Sequence, residues 1–191
     1  MSRATILAAA QTVFAHKGYS EGSLREIAET VGIKTPSIYA HFSSKESLYE
    51  AVYAEVNFDH TEYFEKLSHE GKGLVPIERL EYLLRGIEAY YRDRPELAEF
   101  SLRASIAEYG ADGARLRELF LVSESGIADA VRETYGDAVA AGLVNAQDAD
   151  GFTALFLTLM DGLFLQLTHY TPELYHQRFD ATWRYLSGLL V

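Results

Sequence analysis

An all-α fold follows from three observations on this 191-residue chain. Apolar residues recur at the 3–4 spacing of a helix face along almost its whole length. Glycine, proline and short polar clusters cut that pattern into about nine segments of helical length. No run alternates polar and apolar residues for the length of a strand. The architecture predicted is an N-terminal three-helix domain followed by a larger helical domain.

The first helix spans about 3–17, with Ile6, Leu7, Ala10, Val13 and Phe14 on one face and Gly18 ending it. Residues 23–45, SLREIAETVGIKTPSIYAHFSSK, read as two short helices and a tight turn. Ser23 caps the first, with Glu26 three residues on to complete a capping box. Leu24, Ile27, Ala28 and Val31 form its apolar face, Gly32 supplies the left-handed residue that ends it, and Ile33 returns to the core. Thr35 caps the second, Pro36 sits at its first position, where a missing N–H costs nothing, and the helix runs to about Phe42. Helices this short bury little apolar area. What they provide is a helix-turn-helix, whose second helix enters a major groove.

A fourth helix opens at Ser44, with Leu48, Tyr49, Val52, Tyr53, Val56, Tyr63, Phe64 and Leu67 inward. A loop at 69–76 follows, then helices from Pro76 to about Arg94 and from Pro95 to near Gly110. The seventh starts after residues 112–113 and is interrupted or ended around Gly136. The eighth runs from about Ala146–Asp150 to Tyr170, and the ninth from Thr171-Pro172 to the C-terminus. The eighth is apolar nearly all round, so it needs cover on more than one side. Its stretch FTALFLTLMDGLFLQL is 16 residues long and holds Asp161 and Gln166, which reads as too short and too polar for a membrane span and as a core or interface helix. Gly162 leaves room for another helix. The ninth adds Leu174, Phe179, Trp183, Leu186, Leu189 and Leu190. Together they either close the monomer core or form a subunit interface.

Composition narrows the function classes. There is no cysteine, hence no disulfide framework and no thiolate metal site. The N-terminus lacks the pattern of a signal peptide, so a cytoplasmic protein is expected. The formal net charge of −11 is unevenly spread. Residues 1–45 hold five basic and three acidic groups (+2), the remainder twelve and 25 (−13). One end can therefore meet phosphate while the rest repels a duplex. There is no GxSxG nucleophile elbow (GYSEG at 18–22 spells the motif, but no strand precedes it). GxGxxG, HExxH and the P-loop are missing from the sequence, and the six histidines are scattered, so neither an enzyme nor a cofactor is expected.

ATILAAAQTVFAHKGY, SLREIAETVGIKTPSIYAHF and SSKESL resemble the N-terminal domain of TetR-family transcriptional regulators. Ile27-Ala28, Val31-Gly32-Ile33, Ile38-Tyr39, Phe42 and Lys45-Glu46 fall on family positions, within about 50 residues. The resemblance implies DNA binding by residues 1–46, and effector binding and dimerisation by 47–191. It implies a homodimer through the last two helices on a palindromic operator, associated with the nucleoid when DNA-bound. It also implies a ligand response, most simply release of a repressor by a small apolar or amphipathic effector. A constitutive regulator, or an interaction module that kept the helix-turn-helix as scaffold, is the alternative.

The resemblance makes Tyr39, His41 and Lys45 phosphate contacts, and Arg25 a guanine reader in some members. Tyr39 packed beneath the helix, His41 as a solvated helix end, and Arg25 paired with Glu29 are the structural alternatives. Thr35, Pro36 and Ser37 stand where base edges are reached, offering weak coding by methyl and hydroxyl groups. Lys34 is a backbone or groove contact, and Ser23 completes the DNA-facing set. Apolar residues Tyr82, Tyr90, Tyr91, Phe100, Phe120, Phe156, Met160 and Phe164 are candidates to line an effector pocket, with Arg103, Glu108, Asp161, Gln166 and His169 as polar anchors or as ordinary core and surface residues.

Overall fold

The computed structural model describes residues 2–106, 113–144 and 148–190. Among them are nine α-helices, one 3-10 turn and no strand. The helices are α1 (Arg3–Glu21), α2 (Leu24–Thr30), α3 (Thr35–Ile38), α4 (Lys45–Glu70), α5 (Pro76–Tyr91), α6 (Pro95–Ile106), α7 (Gly113–Ala140), α8 (Ala149–His169) and α9 (Pro172–Leu190). Glu108 and the expected end of the sixth helix near Gly110 lie outside the described residues, as does Ala146 at the expected start of the eighth.

The chain forms two compact units that do not follow chain order. The first comprises Met1–Asp59 and Arg94–Leu121, the second His60–Asp93 and Val122–Val191. In the first unit α1 packs on α2 and α6, and α2 on α3. Ile6, Leu7, Ala10 and Phe14 from α1 are buried, as are Ile27, Ala28, Ile38, Leu48 and Tyr49. The Tyr49 ring meets Phe14 edge-on at 5.1 Å and Phe100 of α6 at 5.7 Å. Such aromatic pairs prefer tilted and edge-to-face geometry, which fixes orientation as well as burying area.

In the second unit α5 packs on α8, and α8 on α9. Leu80, Leu83, Leu84, Val131, Tyr135, Phe156, Leu163, Tyr175 and Phe179 share its core. Arg79 is buried there at 4% exposure. It donates to Asp137 Oδ2 at 3.3 Å and to Ser68 Oγ at 3.4 Å, which offsets part of its desolvation.

Several boundaries differ from expectation. α3 begins with Thr35 as its first helical residue: Lys34 is the N-cap, makes no side-chain cap bond, and leaves Pro36 one position further in. α3 also ends at Ile38, and His41 and Phe42 turn back through N–H bonds to its carbonyl at 2.9 and 3.0 Å. α7 runs unbroken through Gly136 and stops at Ala140; just beyond, Gly142 has φ +69° and the N–H groups of Gly142 and Leu143 close onto Val139 and Ala138. The expected loop at 69–76 is largely regular, since α4 reaches Glu70 and a 3-10 turn covers Gly71–Gly73. α8 is 21 residues long and, by length and composition alone, could cross a bilayer, contrary to the shorter reading of its apolar stretch. It packs instead as a core helix on one face, with Phe152, Phe156, Met160 and Leu163 buried.

Candidate nucleic-acid interface

The turn between α2 and α3 is built by local chemistry. Ser23 Oγ accepts the Glu26 N–H at 3.2 Å, closing the start of α2. The Glu26 carboxylate does not return to Ser23 as a full capping box would have it; it pairs with Lys17 at 2.7 Å. Gly32 sits at φ +70°, where a Cβ would be strained, and the next N–H, of Ile33, bonds the Ala28 carbonyl at 2.9 Å. Ile33 is only partly buried, so Ile27, Ala28 and Ile38 hold the turn to the core.

Ile38 and Phe42 anchor α3 and the turn after it, which aims the other side chains outward. Pro36, Ser37, Tyr39 and His41 are exposed and Thr35 is half-buried. Tyr39 is 54% exposed, which removes the alternative that it packs beneath the helix. Lys34, at the head of α3, is exposed and has no carboxylate partner among the described residues. Arg25 is held by Glu29 through Nε–H···Oε1 at 2.8 Å, and that bond raises its pKa; reading a guanine requires exchanging this partner.

Ser44 caps α4, its Oγ accepting the Ser47 N–H at 3.1 Å. Lys45 follows in the first turn, beside the positive end of the helix. Its ammonium donates to the Ser20 carbonyl at 3.1 Å, and burial lowers its pKa. Ser23, Lys34, Thr35, Pro36, Ser37, Tyr39, His41 and Lys45 thus all belong to one compact unit.

The candidate effector residues divide between the two units. Phe100, Arg103 and Phe120 belong to the first unit; Tyr90, Phe156 and Met160 belong to the second. Phe100 is buried, Arg103 pairs with Glu99 at 3.1 Å, and Phe120 is 42% exposed. Phe156 and Met160 are buried in the second core. Tyr90 joins an aromatic cluster: His60 lies edge-on at 4.9 Å, Tyr63 at 5.0 Å and Tyr91 at 4.7 Å, and Tyr91 meets Phe164 at 4.7 Å. His60 carried no sequence signal, since one histidine on a long helix face shows no partner until the fold supplies it. Among the described residues no group of three or more His, Asp or Glu could hold a metal ion.

Residues 6–52 match the family model for bacterial regulatory proteins of the tetR family. The HTH-type transcriptional activator FasR of Mycolicibacterium smegmatis is 46% identical over 50 residues, covering 26% of this chain and 23% of FasR. The biofilm operon icaADBC HTH-type negative transcriptional regulator IcaR of Staphylococcus aureus is 51% identical over 39 residues, covering 20% of this chain and 21% of IcaR. The match thus spans less than a quarter of either curated relative, and it joins an activator and a negative regulator. Over its full length the chain shares its fold with the transcriptional regulator FadR from Bacillus subtilis, solved in complex with stearoyl-CoA: TM-score 0.77, 16% identity, 100% of both chains covered.

Proposed function

We propose that this chain, whose residues 6–52 match the family model for bacterial regulatory proteins of the tetR family, is a DNA-binding transcriptional regulator of that family, a homodimeric repressor released from a palindromic operator by a small apolar or amphipathic effector. It is not an enzyme. Residues 1–46 form the DNA-binding domain in this reading, and 47–191 the effector-binding and dimerisation domain. The site of action is the cytoplasm.

One observation carries the DNA reading. α3 and the turn after it present Pro36, Ser37, Tyr39 and His41 to solvent from a rigid seat made by Ile38 and Phe42, between the cations Lys34 and Lys45. Small side chains at the head of the helix let the backbone approach base edges, and the flanking hydroxyl and ammonium groups meet phosphate.

The dimer reading rests on α8. Only 28% of its most apolar window is buried within the chain. Leu155 and Leu165 are 43% and 50% exposed, and a Cβ added at Gly162 would meet nothing in this chain within 4 Å. These positions share one helical face, opposite Phe156, Met160 and Leu163. A second copy laying the same face across it covers that surface, and a two-fold dimer matches the symmetry of a palindromic operator.

The effector reading rests on the aromatic cluster around Tyr90 and on the fold shared with an acyl-CoA-bound regulator. Apolar walls with few polar anchors suit an apolar or amphipathic molecule. Titration of a fluorescent duplex at several salt concentrations tests the whole reading. Binding whose log K falls steeply with log salt supports it, and a fatty acyl compound that lowers affinity roughly 5- to 150-fold supports the ligand response. No salt-dependent duplex binding overturns the regulator, and effector-independent binding leaves a constitutive one.

A further inference from the structure

The first 45 residues carry five basic side chains, and the fold uses them differently. Lys17 is tied to Glu26 at 2.7 Å and Arg25 to Glu29 at 2.8 Å. Lys34 and Lys45 flank the recognition helix. Arg3 remains. It is exposed and pairs with no carboxylate among the described residues. Its guanidinium carbon lies 5.0 Å from the centroid of the Phe42 ring.

Phe42 is 5% exposed, and its N–H bonds the Ile38 carbonyl at the end of α3. The chain's third residue is therefore seated at the C-terminal edge of the recognition helix. Nothing in α1 itself favours a cation there. The first turn of α1 contains no acidic residue, and the positive end of a helix dipole opposes an arginine. What an arginine does supply is a flat cation that can rest on an aromatic ring while its five N–H donors remain free. That pairing suits phosphate, which takes two parallel N–H bonds from one guanidinium.

We propose that Arg3 is a DNA-contacting residue, held by Phe42 beside the recognition helix and bonded to a backbone phosphate of the same duplex. The proposal rests on the DNA-binding reading above and adds to it an anchor from the chain's start. The anchor positions the protein on the duplex and carries no base code.

The test uses the full-length protein and two probes, a random-sequence 30-base-pair duplex and a duplex selected from a random pool by the parent protein. Arg3→Ala and Arg3→Gln should each weaken binding to both probes roughly tenfold or more, the loss expected for a charge-assisted hydrogen bond. The slope of log K against log salt should flatten by about 0.9 for every phosphate no longer neutralised, about two for a dimer. Arg3→Lys should restore most of the slope and less of the affinity. Phe42→Leu keeps an apolar anchor but removes the ring. It should weaken binding in the parent and add little to Arg3→Ala. Parent-like slope and affinity in both Arg3→Ala and Arg3→Gln overturn the assignment, as do fully additive losses in the Phe42 cycle. If Lys45→Ala weakens binding while the Arg3 variants do not, only the Arg3 assignment falls. If the parent binds neither probe, the DNA reading falls with it.

Discussion

The Lys45 ammonium lies 4.6 Å above the Tyr19 ring and donates to the neighbouring Ser20 carbonyl at 3.1 Å. This joins the head of α4 to the segment after Gly18, so the lysine is oriented before any duplex arrives. An ammonium has three N–H donors, and the carbonyl takes one, leaving others for phosphate. Preorientation lowers the entropy cost of binding.

The first prediction follows from that seat. Lys45→Ala should weaken duplex binding about equally for all sequences and flatten the salt slope by about 0.9 for each phosphate the lysine had neutralised. Tyr39→Phe should weaken binding without changing the slope, because it removes a neutral hydroxyl. Helical circular dichroism should stay at the parent level for both. Parent-like affinity for both variants at physiological salt counts against the docking arrangement.

What was legible in the sequence was local chemistry. The Ser23 and Ser44 caps and the left-handed Gly32 need only residues three or four apart, and each is present. Gly136 misled because tertiary packing overrides helix propensity: Tyr135 and Ala138 on either side of it are buried, and the helix continues to Ala140. The grouping of α6 with α1 had no local signal. Thr12 bonding Glu96 at 2.7 Å links residues 84 apart, and only the fold brings them together. Arg79 gave no warning of burial, since its partners Ser68 and Asp137 come from other helices. The seat of Arg3 on Phe42 was hidden for the same reason.

The second prediction concerns the dimer. Leu165→Glu should be accepted by the single chain, since Leu165 is 50% exposed there, but should dissociate the homodimer by burying a charge against the partner. Phe164 and Trp183 are poorer probes, because both pack on the second core and a charge there unfolds the unit. Sedimentation should show dimer for the parent and monomer for Leu165→Glu at micromolar concentration. A monomeric parent rejects the interface, and so does a variant that stays dimeric.

The third prediction concerns Tyr175, which is 1% exposed and whose hydroxyl finds no hydrogen-bond partner among the described residues. Burial, with Glu88 adding to it, pushes its pKa up to about 12. Removing an unsatisfied buried hydroxyl without changing ring shape is neutral or stabilising, by up to about 1 kcal/mol. Urea unfolding of Tyr175→Phe should therefore give stability equal to or above the parent at neutral pH. A loss beyond about 1 kcal/mol would reveal a partner for that hydroxyl.

The fourth prediction fixes a sign with pH. Burial raises the pKa of Asp161 above its usual 3.8. Burial, and then the charge of Asp161, raises that of Glu124 above its usual 4.5. A carboxyl group with a raised folded pKa binds its proton more tightly folded than unfolded. Its contribution to stability is therefore fully present below the unfolded pKa and is lost as pH rises through the folded value. Asp161→Asn escapes that loss and also relieves Glu124. The variant should melt higher than the parent at pH 7, by a few tenths to about 1 kcal/mol after allowing for the partial exposure of Asp161. The advantage should shrink steadily as pH is lowered toward 3.8, the usual value of this group. Melting curves of both proteins across that range decide it. An advantage that grows toward acid, or a variant that is less stable at pH 7, would show that the ionised Asp161 is favourably paired in the folded protein.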